Sequence, residues 1–527
     1  MRTPVAIAGA GPVGLALACA LGHHGVGCVV LEEDEALSRH SKAPGVLPRT
    51  LEIFRAWGVL DRFLDAGTLL TRPSVWSPGG REPIVTIDLG PLEEMTAVPG
   101  LLIIPQNRTE ALLRDHAVAR GLADLRFGHR VTGFEQGDAG VSVAVEPVTG
   151  APYRVECEVL VGCDGPHSIV RETLGWRLEG KTYPTRLVLA DVRLGGERND
   201  VPWPRVVAEG DEFHAAIRLG PDLWRIIGTV ASGVTGDEAT AERDVARRVE
   251  RLFEAVPVEL LWADVFRIHR RTSPGFRRGR VLLAGDAGHI NSPAGGQGMN
   301  SGIQDAHNLG WKLARALAGG AREPLLASYE EERRAVIVAN VERYTDLLTR
   351  GFLLAPPLLR RGTLAAARFA ISQPPLLRRL LRRAAMLDAR YPRSSLISGR
   401  GASLGARAED GPVTLPDGRH ARLLDLVSRD AALLLFQDLS LPAWNAPEVE
   451  EIVSDVPGLR VWRLVSSARS PAGPADVVDD TGGLWRRWRP APGSAALIRP
   501  DGHVGWLAER PSPDALRAGV QRALGQP

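Results

Sequence analysis

Cysteine is scarce in this chain and forms no pattern. The four that occur in 527 residues, Cys19, Cys28, Cys157 and Cys163, all lie in the first third, and none has CxxC or metal-ligand spacing. That excludes a disulfide framework and a cysteine-based metal centre, and a reducing cytoplasm is the expected setting. No charge of one sign dominates: the formal net charge is +2, which removes the electrostatic reason to expect nucleic acid as a partner. Long apolar runs are missing too. No window approaches the roughly 18 uninterrupted apolar residues of a membrane span, so no integral membrane segment is expected. The stretch from Val5 to Leu21, ending in "ACA", imitates a secretory leader, but Gly9, Gly11, Pro12 and Gly14 interrupt it at a spacing with another meaning. With 44% hydrophobic and 24% charged residues the composition is that of a globular protein, and the length suggests about three units of ~100–200 residues each.

What is present is glycine in particular places. "PVAIAGAGPVGLALACALGHHGVGCVVLEE" reads as strand, tight turn, helix and strand, with Gly9, Gly11 and Gly14 forming GxGxxG and Glu32 and Glu33 closing the second strand. Gly9 permits the turn, Gly11 lets the backbone approach a pyrophosphate, and Gly14 lets the helix pack on the strand. Pro12 preforms the first helical turn, whose N–H groups face the anion. Glu32 is placed to accept hydrogen bonds from a ribose diol. The motif predicts a dinucleotide and does not choose between NAD and FAD.

Two further strands end in an aspartate. "EVLVGCDG" delivers Asp164 and Gly165, and "RVLLAGDAGH" delivers Gly285 and Asp286, both to the carboxyl edge where ligands of open α/β sheets bind. Beyond the second lies "INSPAGGQGMN", a bare loop running into a helix expected to start near Met299. Ile303, Ala306, Gly310, Leu313 and Leu317 share one face of that helix, with Gln304, Asp305, Asn308 and Lys312 elsewhere.

These three motifs, in this order, together with "PAGGQGMNSGIQDAHNLGWKL" and "LPRTLEIFRAWGVLDRFLDAG", resemble the class A flavoprotein monooxygenases, the FAD-dependent aromatic hydroxylases. The resemblance spans residues 5 to 334. It implies that Asp286 lies against the flavin ribityl chain and that the loop from Pro293 to Asn300 wraps the isoalloxazine. Gly295, Gly296 and Gly298 then stay bare so that the ring reaches the backbone of Gly298, Met299 and Asn300. It also implies a flavin contact from Gln106 and places Pro293 beside the reactive edge, as the one residue assigned a catalytic position. The implied chemistry uses NADPH or NADH as a transient reductant and O2 as co-substrate. A flavin C4a-hydroperoxide passes one oxygen to a small aromatic substrate, phenolic or polyketide-like. The sibling outcomes are Baeyer–Villiger insertion and antibiotic inactivation, and the remote one is a silent FAD-binding protein. Arg39, Lys42 and Arg49 follow the second strand in a region that relatives use for nicotinamide handling.

The expected fold is α/β: a Rossmann-like FAD-binding domain over residues 1–180, continued by 270–330, with an inserted substrate-binding β-sheet over 181–269. Within the insert, "EFHAAIRLGPDLWRIIGTV" reads as a hairpin turning at "GPD", from which His214, Trp224 and Arg225 are the candidate substrate contacts. Residues 331–397 read as helical, rich in leucine and arginine, and are expected to form a packed layer with an exposed arginine face, a membrane-surface or partner helix being the alternative. Residues 398–527 resemble the thioredoxin-like C-terminal domain of several such hydroxylases, but without cysteine, which excludes dithiol chemistry there. The oligomeric state is left open.

Overall fold

A computed structural model describes residues 1–38, 41, 43–76, 83–195, 203–209, 212–231, 233–253, 258–437, 444, 446–466, 476–479 and 481–526. The elements that build the site are, in chain order, β1 (Arg2–Ala8), α1 (Pro12–His23), β2 (Cys28–Glu32), α2 (Pro48–Trp57), α3 (Gln106–Ala119), β3 (Tyr153–Gly162), β4 (Glu179–Leu194), β5 (Glu212–Arg218), β6 (Leu223–Val230), α4 (Glu242–Leu252), β7 (Val258–Thr272), β8 (Val281–Leu283), α5 (Gln297–Leu317) and α6 (Arg322–Val336). They are followed by α7 (Glu342–Leu348), α8 (Pro357–Ser372) and α9 (Pro374–Ala384).

Near-continuous apolar runs such as "VAIA", "VVL" and "VLL" suit strands covered on both faces, and these pair in parallel. β1 lies between β2 and β3, with β8 beyond β3. Their register aligns Ala8 with Gly162 and Gly162 with Leu283, so the three glycine and aspartate turns leave the sheet at one edge. One face packs on α1 and α5 through Ile7, Val30, Leu17 and Ile303; the other buries Val143, Leu160 and Leu283. α5 crosses α1 closely because a Cβ on Gly310 would lie 2.6 Å from that of Ala20.

The second sheet is antiparallel around the long β4–β7 pair, with β6 and β5 on the far side of β4. The hairpin expected at "GPD" forms, pairing His214 with Gly228 and Arg218 with Trp224. The sheet also takes in Ser74–Trp76, which pairs in parallel with Arg205–Glu209. One face is covered by Val245, Val249 and Leu252 of α4, packed on Trp224, Ile226 and Ala216.

In the C-terminal unit β9 (Ala431–Phe436), β10 (Leu459–Ser466) and β11 (Asp476–Asp479) run parallel, and the hairpin of β12 (Ser494–Ile498) and β13 (Val504–Glu509) adds antiparallel to β9. The helix Pro513–Ala523 covers one face.

The polar side of α5 is buried against this unit. Lys312 and Glu332 pair at 2.7 Å, Arg499 reaches Glu332 at 2.5 Å, and Asn308 donates to both Glu332 (2.8 Å) and Asp501 (2.9 Å). Asn308 and Lys312, expected away from the core face, are therefore buried, as are Gln304 and Asp305 against Met386, His289 and Arg333. Burial alone would raise the Glu332 carboxyl, but the Arg499 and Lys312 cations outweigh it and hold it at about 2.

The helical segment also departs from expectation. Its leucines do not all face inward: Leu358, Leu359, Leu376 and Leu380 are exposed.

Candidate active site

The carboxyl edge of the parallel sheet brings together the N-terminus of α1, the Asp164–Gly165 turn, the Gly285–Asp286 turn and the start of α5. Gly9 adopts φ +96°, a conformation L side chains rarely take, and a Cβ there would meet the Cys163 carbonyl oxygen at 2.5 Å. Above Gly11 there is nothing within 4 Å, and Gly11 is the N-cap of α1, which has no side-chain cap. Its first N–H groups are thus free for an anion, beside an open approach. Glu32 ends β2 with its carboxylate accepting the Ala10 N–H at 2.6 Å and the Asp34 N–H at 3.1 Å. The remaining lone pairs of those oxygens can take a diol. Glu33 is exposed next to it.

Asp164 accepts the Val170 N–H through Oδ2 at 3.1 Å, whereas its Oδ1 is buried with no protein partner. Burial raises its pKa, the Ser168 and Val170 hydrogen bonds opposing. Gly165 has open space where a side chain would stand.

The Gly285–Asp286 turn is braced from behind. Asp305 accepts the Gly285 N–H at 3.1 Å, His289 lies 2.7 Å from the same oxygen, and the other oxygen takes Arg333 at 2.7 Å. Burial would raise Asp305, but Arg333 and His289 hold it below the usual carboxylate range. This arrangement leaves Asp286 exposed at the tip. Neither Asp305 nor Arg333 was among the expected site residues, and nothing in the polar stripe of α5 set Asp305 apart from Gln304 and Asn308 beside it.

α5 begins at Gln297, two residues earlier than expected, with Gly296 as a left-handed N-cap and no side-chain cap, so the N–H groups of Gln297, Gly298 and Met299 are free for a ligand. Gly296 and Gly298 have nothing within 4 Å of a would-be Cβ, whereas one on Gly295 would press on Tyr344 and Leu348 at 3.1 Å. Ser292 and Thr349 share a hydroxyl hydrogen bond of 2.6 Å that ties the loop down. Pro293 sits exposed on the turn, its carbonyl accepting the Gly296 N–H at 3.0 Å. The Asn300 side chain is fully used by the protein: Oδ1 accepts the Leu47 N–H at 2.9 Å, and Nδ2 donates to Gly45 and Gly296.

Gln106, at the start of α3, accepts the Ala43 N–H at 3.1 Å and donates its backbone N–H to Ser41 Oγ at 2.8 Å. Arg225 reaches that same Ser41 hydroxyl at 3.4 Å and holds Asp191 through two bonds of 2.8 and 2.7 Å. The antiparallel sheet and the segment that leads into α3 therefore meet through Arg225, Ser41 and Gln106.

His214 and Trp224 are placed otherwise. Both lie on the face opposite Arg225, toward α4: Trp224 packs edge-on to Phe253, and His214 stands beside Glu212 at 3.2 Å. Burial lowers the His214 pKa, leaving a neutral ring. The expected contact of these two residues with substrate is corrected, because strand alternation assigns them to the face that α4 covers. Arg49 is corrected likewise. It is buried, bound to Glu52 at 2.9 Å and to the Asp501 carbonyl at 2.6 Å, and so anchors the C-terminal unit. Arg39 and Lys42 lie outside the described residues.

An orphaned carboxylate oxygen, two uncapped helix starts and open space above Gly11, Gly165, Gly296 and Gly298, all at one sheet edge, fit an extended dinucleotide with a ring system at one end. Residues 2–344 match the family described as FAD binding domain. The 12-dehydrotetracycline 5-monooxygenase/anhydrotetracycline 6-monooxygenase of Streptomyces rimosus is 36% identical, with 99% of this chain and 98% of that protein covered. This chain belongs to the FAD-dependent aromatic hydroxylases. Among solved structures, the OxyS anhydrotetracycline hydroxylase from Streptomyces rimosus superposes with a TM-score of 0.79 at 32% identity, and the flavin-dependent monooxygenase PieE, in complex with FAD and substrate, with 0.84 at 25%; both comparisons cover the whole of each chain. The enzyme is an FAD-dependent monooxygenase, and hydroxylases of this family take NAD(P)H as reductant and O2 as co-substrate.

Proposed function

We propose that this hydroxylase acts on a phenolic, polyketide-like polycyclic substrate. The observation that carries the reading is the bare, uncapped start of α5 at Gly296–Met299, in a chain whose relatives include an enzyme named for 12-dehydrotetracycline and anhydrotetracycline. FAD, when bound, supplies the oxygen-activating chemistry.

The chain's own residues supply binding and electrostatics. The N–H groups of α1 beside Gly11 hold the pyrophosphate, Glu32 the ribose, and Asp286 and Asp164 the linking polyol. The N–H groups of Gly298 and Met299, at the positive end of α5, hold negative charge on the flavin pyrimidine. Pro293 walls the reactive edge with a rigid turn and brings no N–H. Arg225 positions the Ser41–Gln106 segment, and its sheet face forms the substrate floor. The C-terminal unit is read as thioredoxin-like, supported by its parallel β9–β11 core and antiparallel β12–β13 hairpin, with an assembly role in clamping α5 and α6.

Anaerobic stopped-flow reduction by NADH and by NADPH, across a panel of simple phenols and polycyclic polyketides, tests this. Faster flavin bleaching by polycyclic phenols, and not by single-ring ones, is expected. Acceleration by single-ring phenols alone removes the polyketide reading, and no bleaching with any ligand removes the hydroxylase role for this substrate class.

A further inference from the structure

We propose that the outward face of the α8–α9 hairpin docks the enzyme on an anionic lipid bilayer. A single exposed leucine is ordinary, but here large apolar side chains are exposed together: Leu358 at 81%, Phe369 at 64% and Leu359 at 55% on α8, with Leu376 and Leu380 on α9. Helical spacing puts Leu358, Arg361, Ala365, Arg368 and Phe369 along one side of α8 and Leu376, Arg379 and Leu380 along one side of α9. The hairpin is nevertheless anchored to the protein. Leu377 and Leu381 pack with Leu92 and Leu387 beneath α9, and Arg360 is buried beneath α8.

Charge selects the occupant. Residues 357–384 contain seven arginines and no aspartate or glutamate. Arg378, Arg382 and Arg383 are neutralised by Glu94, Glu409 and Asp388, but Arg361, Arg368 and Arg379 make no ion pair among the described residues. A second copy of the chain would bring this unneutralised positive face against its own like. An anionic bilayer instead receives the guanidiniums at its headgroups and the leucines and Phe369 at the acyl boundary. Side chains as exposed as Leu358 protrude, which suits a deformable interface better than a preformed protein groove. No helix among the described residues is long and apolar enough to cross a membrane, so the contact is peripheral.

The test is co-sedimentation of the full-length, FAD-loaded enzyme with vesicles of phosphatidylcholine alone and of phosphatidylcholine mixed with phosphatidylglycerol, at low and high salt. Binding is expected only to the anionic vesicles and is expected to weaken with salt. Arg361→Ser/Arg368→Ser/Arg379→Ser should reduce it by on the order of a hundredfold, and Leu358→Ser/Phe369→Ser should abolish it, with flavin content and far-UV circular dichroism unchanged in both. Equal binding to neutral vesicles, no binding to either, or variants that bind like the parent overturn the proposal. So does a dimer that Leu358→Ser/Phe369→Ser splits while vesicles fail to bind, since the face then belongs to a second copy.

Discussion

A Cβ on Gly14 would collide with the carbonyl oxygen of Gly9, whereas one on Gly11 would meet nothing within 4 Å. Two glycines of one motif thus serve different masters. Gly14→Ala must push α1 off β1 and is expected to give insoluble or flavin-free protein. Gly11→Ala should fold with the parent's thermal stability in the apo form, yet bind FAD at least tenfold more weakly, because the methyl occupies the pyrophosphate's approach. Flavin fluorescence titration of the two apo proteins separates the cases.

Arg225 is fully buried and paired to Asp191 by two hydrogen bonds. Arg225→Ala leaves the half-buried Asp191 carboxylate without its partner and opens a void where a fully buried side chain stood, and should cost about 3 kcal/mol in a urea titration. Arg225→Met/Asp191→Leu should recover most of that loss without recovering substrate-stimulated flavin reduction, since Ser41 and Gln106 lose their brace. His214→Gln, on the α4 side, should leave the reduction rate of folded enzyme unchanged.

The Glu332 cluster makes stability depend on acid. Its carboxyl titrates at about 2 in the folded protein against an ordinary 4.5, so its contribution is fully present above pH 4.5 and is lost as the pH falls toward 2. Asp305 and Asp501 are shifted in the same direction. Melting temperature measured from pH 6 to pH 3 should fall steeply below about pH 4.5. Glu332→Gln should flatten that fall while lowering the melting temperature at neutral pH, because Arg499 and Lys312 stay buried without their anion.

All four cysteines are free and buried, and burial pushes the Cys28 and Cys157 thiols up to about 12. Native enzyme at pH 8 should therefore show no thiol reactive toward Ellman's reagent, and denatured enzyme four. A fast-reacting thiol in the native protein would contradict the packing of α1 on the parallel sheet.

The glycine turns of the candidate site were legible in the sequence because close approach admits glycine alone: a Cβ on Gly9 or Gly14 would strike backbone, one on Gly285 the Val13 side chain at a positive φ, and one on Gly11 the proposed pyrophosphate. The substrate side was less so. Alternation shows that His214 and Arg225 of the hairpin differ in face, but only the position of α4 decides which face is core. The polar stripe of α5 was equally opaque, because Asn308 meets Asp501 across 193 residues of chain. The paired cations and anions that bury Lys312 are contributed by α6 and by the C-terminal unit, and no local pattern announces them. Asn300 was expected to serve through its backbone, and its side chain turns out to stitch Gly45 and Leu47 to the start of α5.

The proposed reaction places one atom of molecular oxygen on an aromatic polyketide. Turnover under 18O2 with NADPH or NADH and the polycyclic phenol that most accelerates flavin reduction, followed by mass spectrometry of the product, addresses it directly. A product carrying a single 18O atom on the ring system, formed one for one with nicotinamide oxidised, is expected. Nicotinamide oxidation that yields only hydrogen peroxide, or a product whose added oxygen is unlabelled, would contradict it.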